Sequence, residues 1–247
     1  MKKALYIFCL LVFSALLCAQ KAPSAGSILK AVDKNMLSST SKSTTRMVIH
    51  SKRSSRTVES INYSSGSDKY YSEYTAPPRE KGTKMLKVGD KLWIYEPSSD
   101  RTIQISGNML KQSVMGSDLS YEDFMEETKL EESYTATVTG DSKYDGREVW
   151  VLELVAKQKN LAYHKLKLYV DKERYVVLYQ YMYAKSGKLL KTIKAGNVGR
   201  VGSRWYPRYI LFKDELKDGK GTEYYVDEIA FDLKIPAATF TKAMLKK

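Results

Sequence analysis

The sequence predicts a mainly β (α+β) fold: a single strongly curved antiparallel sheet, an incomplete β-barrel of about eleven strands, with two or three short helices across its concave face. Three observations predict it. Segments of period-two hydrophobicity recur roughly every ten residues, with turn residues between them. One stretch, residues 106–128 (SGNMLKQSVMGSDLSYEDFMEET), breaks that period with a helical, apolar-faced pattern. No Pro-, Gly- or Ser-rich linker divides the 247 residues, so one domain is expected over residues 20–247.

Residues 1–19 read as a secretory signal. Lys2 and Lys3 form the positive start, residues 4–17 the apolar run, and Ala19 and Ala22 supply small residues, with cleavage expected after Ala19. The expected location is therefore the periplasm. Lipid anchoring at Cys18 is the weaker alternative, because a lipobox wants a small residue where Leu17 stands. Cys9 and Cys18 are the only cysteines, so a processed chain has no thiol for a disulfide, a metal or nucleophilic catalysis.

Residues 24–37 read as the first helix. Ile28, Leu29, Val32, Met36 and Leu37 fall at helical spacing, and Ser24 or Ser27 can cap the start. The period then changes to two over 45–50, 57–63 and 70–74, and Pro77 and Pro78 end the third strand. Residues 83–88 and 91–95 make the clearest hairpin, turning at Gly89 and Asp90, and 101–105 is a short strand.

In the helical stretch, Met109, Leu110, Ser113 and Val114 share one face of a short helix that Gly116 can end. Ser120 and Asp123 resemble a capping box, and Phe124 and Met125 begin an apolar patch. The strand pattern then resumes. In 147–156, Trp150, Leu152 and Leu154 share one face, with Val149, Val151 and Val155 on the other, so both faces are expected to be partly covered. Residues 163–170 alternate Leu166, Leu168 and Val170 inward with Lys165 and Lys167 outward. Residues 175–184 place Val176, Leu178 and Met182 on one side and Tyr175, Tyr179, Tyr181 and Tyr183 on the other. Strands over 188–195, 204–213 and 222–233 follow, and Phe240 to Leu245 form a last half-turn or strand.

The formal charge is +13, of which the signal supplies two. That surplus favours anionic partners, including peripheral contact with an anionic membrane surface, although lysines scattered among acids also describe an ordinary solvated sheet face. Nucleic acid is not an expected partner of an exported chain without a nucleic-acid-binding motif. His50 and His164 lack ligand-spaced neighbours, so no metal is expected. Asp118, Glu122, Asp123, Glu126 and Glu127 lack the alternating ligand spacing and internal glycine of a calcium loop, and helix capping explains them better. The motifs GxSxG, HExxH, the P-loop and GxGxxG do not occur, and neither a cofactor nor catalysis is expected, although a triad assembled only in three dimensions is left open. What remains is apolar surface with amphipathic trim: nineteen tyrosines, three tryptophans, and Met109, Met115 and Met125 in the helical stretch.

Several segments carry a resemblance. GTKMLK at 82–87, DKLWIYEP at 90–97 and SVMGSDLSYEDF at 113–124 resemble the LolA-like outer-membrane lipoprotein-sorting proteins. So do the Asp145 and Gly146 turn before a Trp-bearing strand, GSRWYP at 202–207, and Ile235, Pro236 and Phe240 near the end. The resemblance implies a hydrophobic hollow between sheet and helices that takes up lipoprotein or lipid acyl chains and moves them between inner and outer membranes. It also implies an inner-membrane transporter and an outer-membrane acceptor as partners, and a monomer is expected. On this reading Met109, Leu110, Val114, Met115, Leu119 and Phe124 form a lid, and Trp93, Tyr95, Trp150, Leu152 and Leu154 form the wall beneath it. The alternative is a non-enzymatic envelope lipid sensor or regulatory module with the same hollow.

Overall fold

The computed structural model describes residues 23–125, 129–159 and 161–247. Helix α1 (Ala25–Met36) starts where the Ser24 hydroxyl accepts the Ser27 N–H, and it buries Ile28, Leu29 and Val32. Six strands follow: β1 (Thr40–His50), β2 (Ser55–Ser65), β3 (Lys69–Ala76), β4 (Lys84–Val88), β5 (Lys91–Glu96) and β6 (Arg101–Ile105). Gly89 turns β4 into β5 at φ +59°, a conformation that costs glycine nothing.

Residues 106–125, called the lid here, leave β6. The predicted helix through Met109, Leu110, Ser113 and Val114 does not form. Two 3-10 turns (Gly107–Lys111 and Val114–Gly116) stand in its place, with Gln112 and Ser113 extended between them. Ser113 bridges back to Ser120, and Met115 and Gly116 adopt φ +51° and +69°, so this is a tight loop that no helix could continue through. The capping box does form. The Ser120 N–H donates to Asp123 Oδ2 at 2.6 Å and the Asp123 N–H to Ser120 Oγ at 3.4 Å, starting α2 (Tyr121–Met125).

Helix α3 (Leu130–Ser133) leads into the second set of strands: β7 (Tyr134–Tyr144), β8 (Arg147–Ala156), β9 (Lys165–Asp171), β10 (Val177–Tyr183), β11 (Leu189–Val201), β12 (Arg204–Asp214) and β13 (Thr222–Phe231). Two 3-10 turns, Ala237–Phe240 and Lys242–Lys246, follow them. Among the described residues thirteen strands, rather than about eleven, form one open antiparallel sheet. Its order is β6-β5-β4-β3-β2-β1-β13-β12-β11-β10-β9-β8-β7. Each half of the chain is a meander of neighbouring hairpins. The halves join where β1 pairs with β13, opposite Thr45 and Val226 among others. The sheet is therefore an incomplete barrel whose edges are β6 and β7.

The register gives the sheet an inner face, which receives the lid and α1, and an outer face. Leu154, Leu166 and Met182 are successive cross-strand partners on the inner face, as are Met47 with Val58 and Met85 with Ile94. One expectation fails here. Val176 and Leu178 do not share a face with Met182. The register shifts between Val177 and Tyr179, so Leu178 turns outward beside Val149 and Val176 while Val177 joins the inner core. Strand β8 is covered on both faces at Val149, but Val155 is 46% exposed.

Candidate functional site

Three apolar clusters occupy the inner face. The first lies under α1, where Ile28, Leu29 and Val32 meet Trp150, Leu152, Leu154, Leu166 and Leu168. Full burial of each such aliphatic side chain contributes about 1.5–3 kcal/mol. The second lies under the tip of the lid: Met47, Ile49, Val58, Tyr74 and Leu119, with Met115, Phe124, Phe212 and Tyr224 against them. The third lies under its ends: Met85, Leu92, Ile94 and Ile105, with Met109, Leu110, Tyr121, Phe124 and Met125. Phe124 belongs to both lid clusters, and its ring centre is 5.9 Å from that of Tyr70.

The structure thus brings five of the six predicted lid residues, all but Val114, into the inner-face clusters. Val114 and Leu119 are buried, while Met109, Leu110, Met115 and Phe124 are half-buried. Trp150, Leu152 and Leu154 share that face but lie under α1, in the other half of the sheet. Trp93 and Tyr95 are not there. Alternation along β5 sends Leu92 and Ile94 to the lid and Trp93 and Tyr95 to the outer face. There they pack with Tyr71, Leu86, Phe240 and Leu245 beneath the C-terminal turns.

The rim of the lid is polar, and most of its holders come from the sheet. Arg56 on β2 donates to the Met115 carbonyl and pairs with Glu80 at 3.1 Å. Asp118 accepts from the Thr222 hydroxyl at 2.7 Å and from the Asp214 N–H at 2.9 Å. Lys217 donates to Ser113 Oγ at 2.6 Å and to the Ser117 carbonyl at 2.8 Å. Asp123 meets the Lys191 ammonium and accepts from the Tyr163 hydroxyl at 2.5 Å, which ties the lid to the cluster under α1. Lys87 donates to the carbonyls of Phe124 and Met125, where a cation favours the carboxyl end of α2. Burial pushes the Tyr74 phenol well up, and the Tyr121 phenol up as well, so both stay protonated under the lid.

Between the two lid clusters the inner face carries a polar inlay. Asn62 Oδ1 accepts from the Tyr70 and Ser72 hydroxyls, each at 2.8 Å, and its amide donates to Thr45 Oγ1 at 3.0 Å. These residues, and Arg56, Lys87, Lys191 and Thr222, were not singled out in the sequence. The available signal was polar residues at every inward position of β2 after Val58, namely Ser60, Asn62 and Ser64.

A family model described as “-like: Uncharacterized protein” matches residues 66–247. No curated protein matches the chain. Among solved structures, an outer membrane lipoprotein-sorting protein domain from Vibrio parahaemolyticus is 26% identical, with a TM-score of 0.78 over 90% of this chain and 98% of that one. A DUF1329 family protein from Desulfovibrio piger ATCC 29098 is 21% identical, with a TM-score of 0.82 over 90% and 97%. A LolA superfamily protein from Nitrosomonas europaea is 23% identical, with a TM-score of 0.75 over 90% and 100%. The chain belongs to the uncharacterized-protein family whose model spans residues 66–247, and its fold is that of the LolA-like, outer-membrane lipoprotein-sorting group.

Proposed function

We propose that this protein is a non-enzymatic periplasmic carrier that takes lipoprotein acyl chains or other lipids between the lid and the inner face of the sheet and moves them between the inner and outer membranes. One observation carries the reading: a lid greasy toward the sheet and tied down at its rim by hydrogen bonds and ion pairs. Moving a lipid through water exposes its chains at about 0.8 kcal/mol per CH₂, and a carrier must offset that with apolar surface it can also give back. Met109, Met115 and Met125 are unbranched and can repack around chains of different shape. The lid side chains rest directly on the sheet, so an entering chain displaces them and inherits their partners, Met47, Val58, Met85 and Ile94 among them. An inner-membrane transporter and an outer-membrane acceptor complete the cycle.

The test is to purify the protein from its native envelope and identify bound lipids by mass spectrometry, with uptake of lipids and acylated peptides measured in parallel. Bound acyl chains are expected, and Leu110→Asp or Phe124→Asp is expected to cut uptake while the sheet stays folded. A protein that comes empty and takes up neither ligand in vitro would sink the reading.

A further inference from the structure

We infer that the outer face of β7 to β11 is a docking surface for an anionic phospholipid bilayer, distinct from any cargo site on the inner face. Five half-buried tyrosines make a continuous ladder there. The Tyr144 ring centre lies 5.4 Å from that of Tyr179, Tyr179 lies 6.3 Å from Tyr169 and 4.9 Å from Tyr181, and Tyr181 lies 6.3 Å from Tyr183. Val155, 46% exposed, extends the same face on the neighbouring strand. The C-terminal turns that cover the outer face elsewhere pack on β3, β4 and β5, in the other half of the sheet.

Charge decides the occupant. Lys167 stands over the Tyr169 ring at 5.6 Å, and Lys194 lies opposite Tyr179 in the ladder. Neither forms an ion pair among the described residues, whereas Lys165 on the same face is matched by Glu153 at 2.9 Å. Tyrosine offers an apolar ring and a hydroxyl that suit the depth of lipid headgroups. Unpaired lysines beside it add attraction to anionic lipid. A second copy is disfavoured as the occupant, because the chain is strongly basic with or without its signal and this face would oppose lysine to lysine. A bilayer bound here leaves the lid, on the opposite face, free to move.

The test uses the full chain as purified from the native host, sedimented with vesicles of phosphatidylcholine alone or mixed with phosphatidylglycerol. Binding to the mixed vesicles is expected and falls about tenfold in Lys167→Gln/Lys194→Gln. Tyr179→Ser/Tyr181→Ser also weakens it, and Lys91→Gln/Lys220→Gln, the same charge change elsewhere on the exposed surface, leaves it unaltered. If the tyrosine variant fails to fold, the lysine pair decides alone. Equal binding to both vesicle types, an equal loss in the control pair, or a dimer in sedimentation velocity that the tyrosine variant abolishes would each overturn the proposal. Lipid uptake by the lysine variant separates this surface from the carrier reading, since uptake there is expected to match the unaltered protein.

Discussion

Asp118 of the lid accepts a 2.7 Å hydrogen bond from the hydroxyl of Thr222, a residue 104 positions away on β13. Thr222 is fully buried and returns the contact by accepting the Asp118 N–H at 3.0 Å. The pair fastens the tip of the lid at the seam where the two halves of the sheet meet. Asp118→Ala would leave the Thr222 hydroxyl and the Asp214 N–H without their acceptor, at a cost of about 1–3 kcal/mol. Amide hydrogen exchange over residues 113–120 is expected to quicken more than exchange in the strands. Unaltered exchange there would show that the carboxylate does not hold the lid.

The two faces of β5 predict opposite phenotypes. Trp93→Ala empties a site in the outer cluster under the C-terminal turns and is expected to cost about 3–5 kcal/mol in urea unfolding. Lipid uptake per folded molecule stays unaltered. Ile94→Asp puts a carboxylate under the lid and is expected to reduce uptake. Loss of uptake in Trp93→Ala at full folding would mean that the outer cluster takes part in binding.

Asp171 links stability to acid. Burial pushes its carboxyl up, but the Arg147 guanidinium, at 2.8 Å, and the N–H groups of Arg174 and Glu173 outweigh burial and hold it below its ordinary value of 3.8. A group lowered in the folded state contributes stability that is complete above its unfolded value and is lost as pH falls through the folded one. Urea midpoints are therefore expected to drop as pH is taken below 3.8, and Asp171→Asn should flatten that limb while lowering stability near neutrality. An acid limb of the same slope in the variant would assign the effect to other carboxylates.

Gly221 sits at φ +93°, and a Cβ built there would lie 2.5 Å from the Phe212 carbonyl oxygen. That contact is to backbone, which cannot swing aside. Gly221→Ala is expected to cost more than the ~1 kcal/mol of an ordinary glycine replacement, because β12 and β13 must part to admit it. A thermal midpoint equal to the unaltered protein would show that the turn relaxes freely.

The strands were legible because a two-residue period writes the pleat directly into the sequence, as in Leu166, Leu168 and Val170. The cap at Ser24 and the box of Ser120 and Asp123 were legible because each is closed within three residues. Leu178 was misplaced because a bulge leaves no mark in the hydrophobic pattern: one unpaired residue reverses the faces of everything beyond it. Met109 to Val114 read as a helix because apolar spacing does not record φ, and the turn at Met115 and Gly116 depends on bonds made by Arg56, Asp118 and Lys217 to distant groups.

Local hydrophobic periodicity is enough to show a long antiparallel meander interrupted by one apolar-faced crossing, although it does not show what backbone that crossing adopts. Which side of β5 the crossing covers is set by contacts distant in sequence. Leu92, Trp93, Ile94 and Tyr95 are all apolar enough to be buried, and both faces of that strand are covered, one by the lid and one by the C-terminal turns. With burial available on either side, hydrophobicity alone cannot choose. The choice is made by the register of β4 against β5, which places Met85 beside Ile94 and Leu86 beside Trp93.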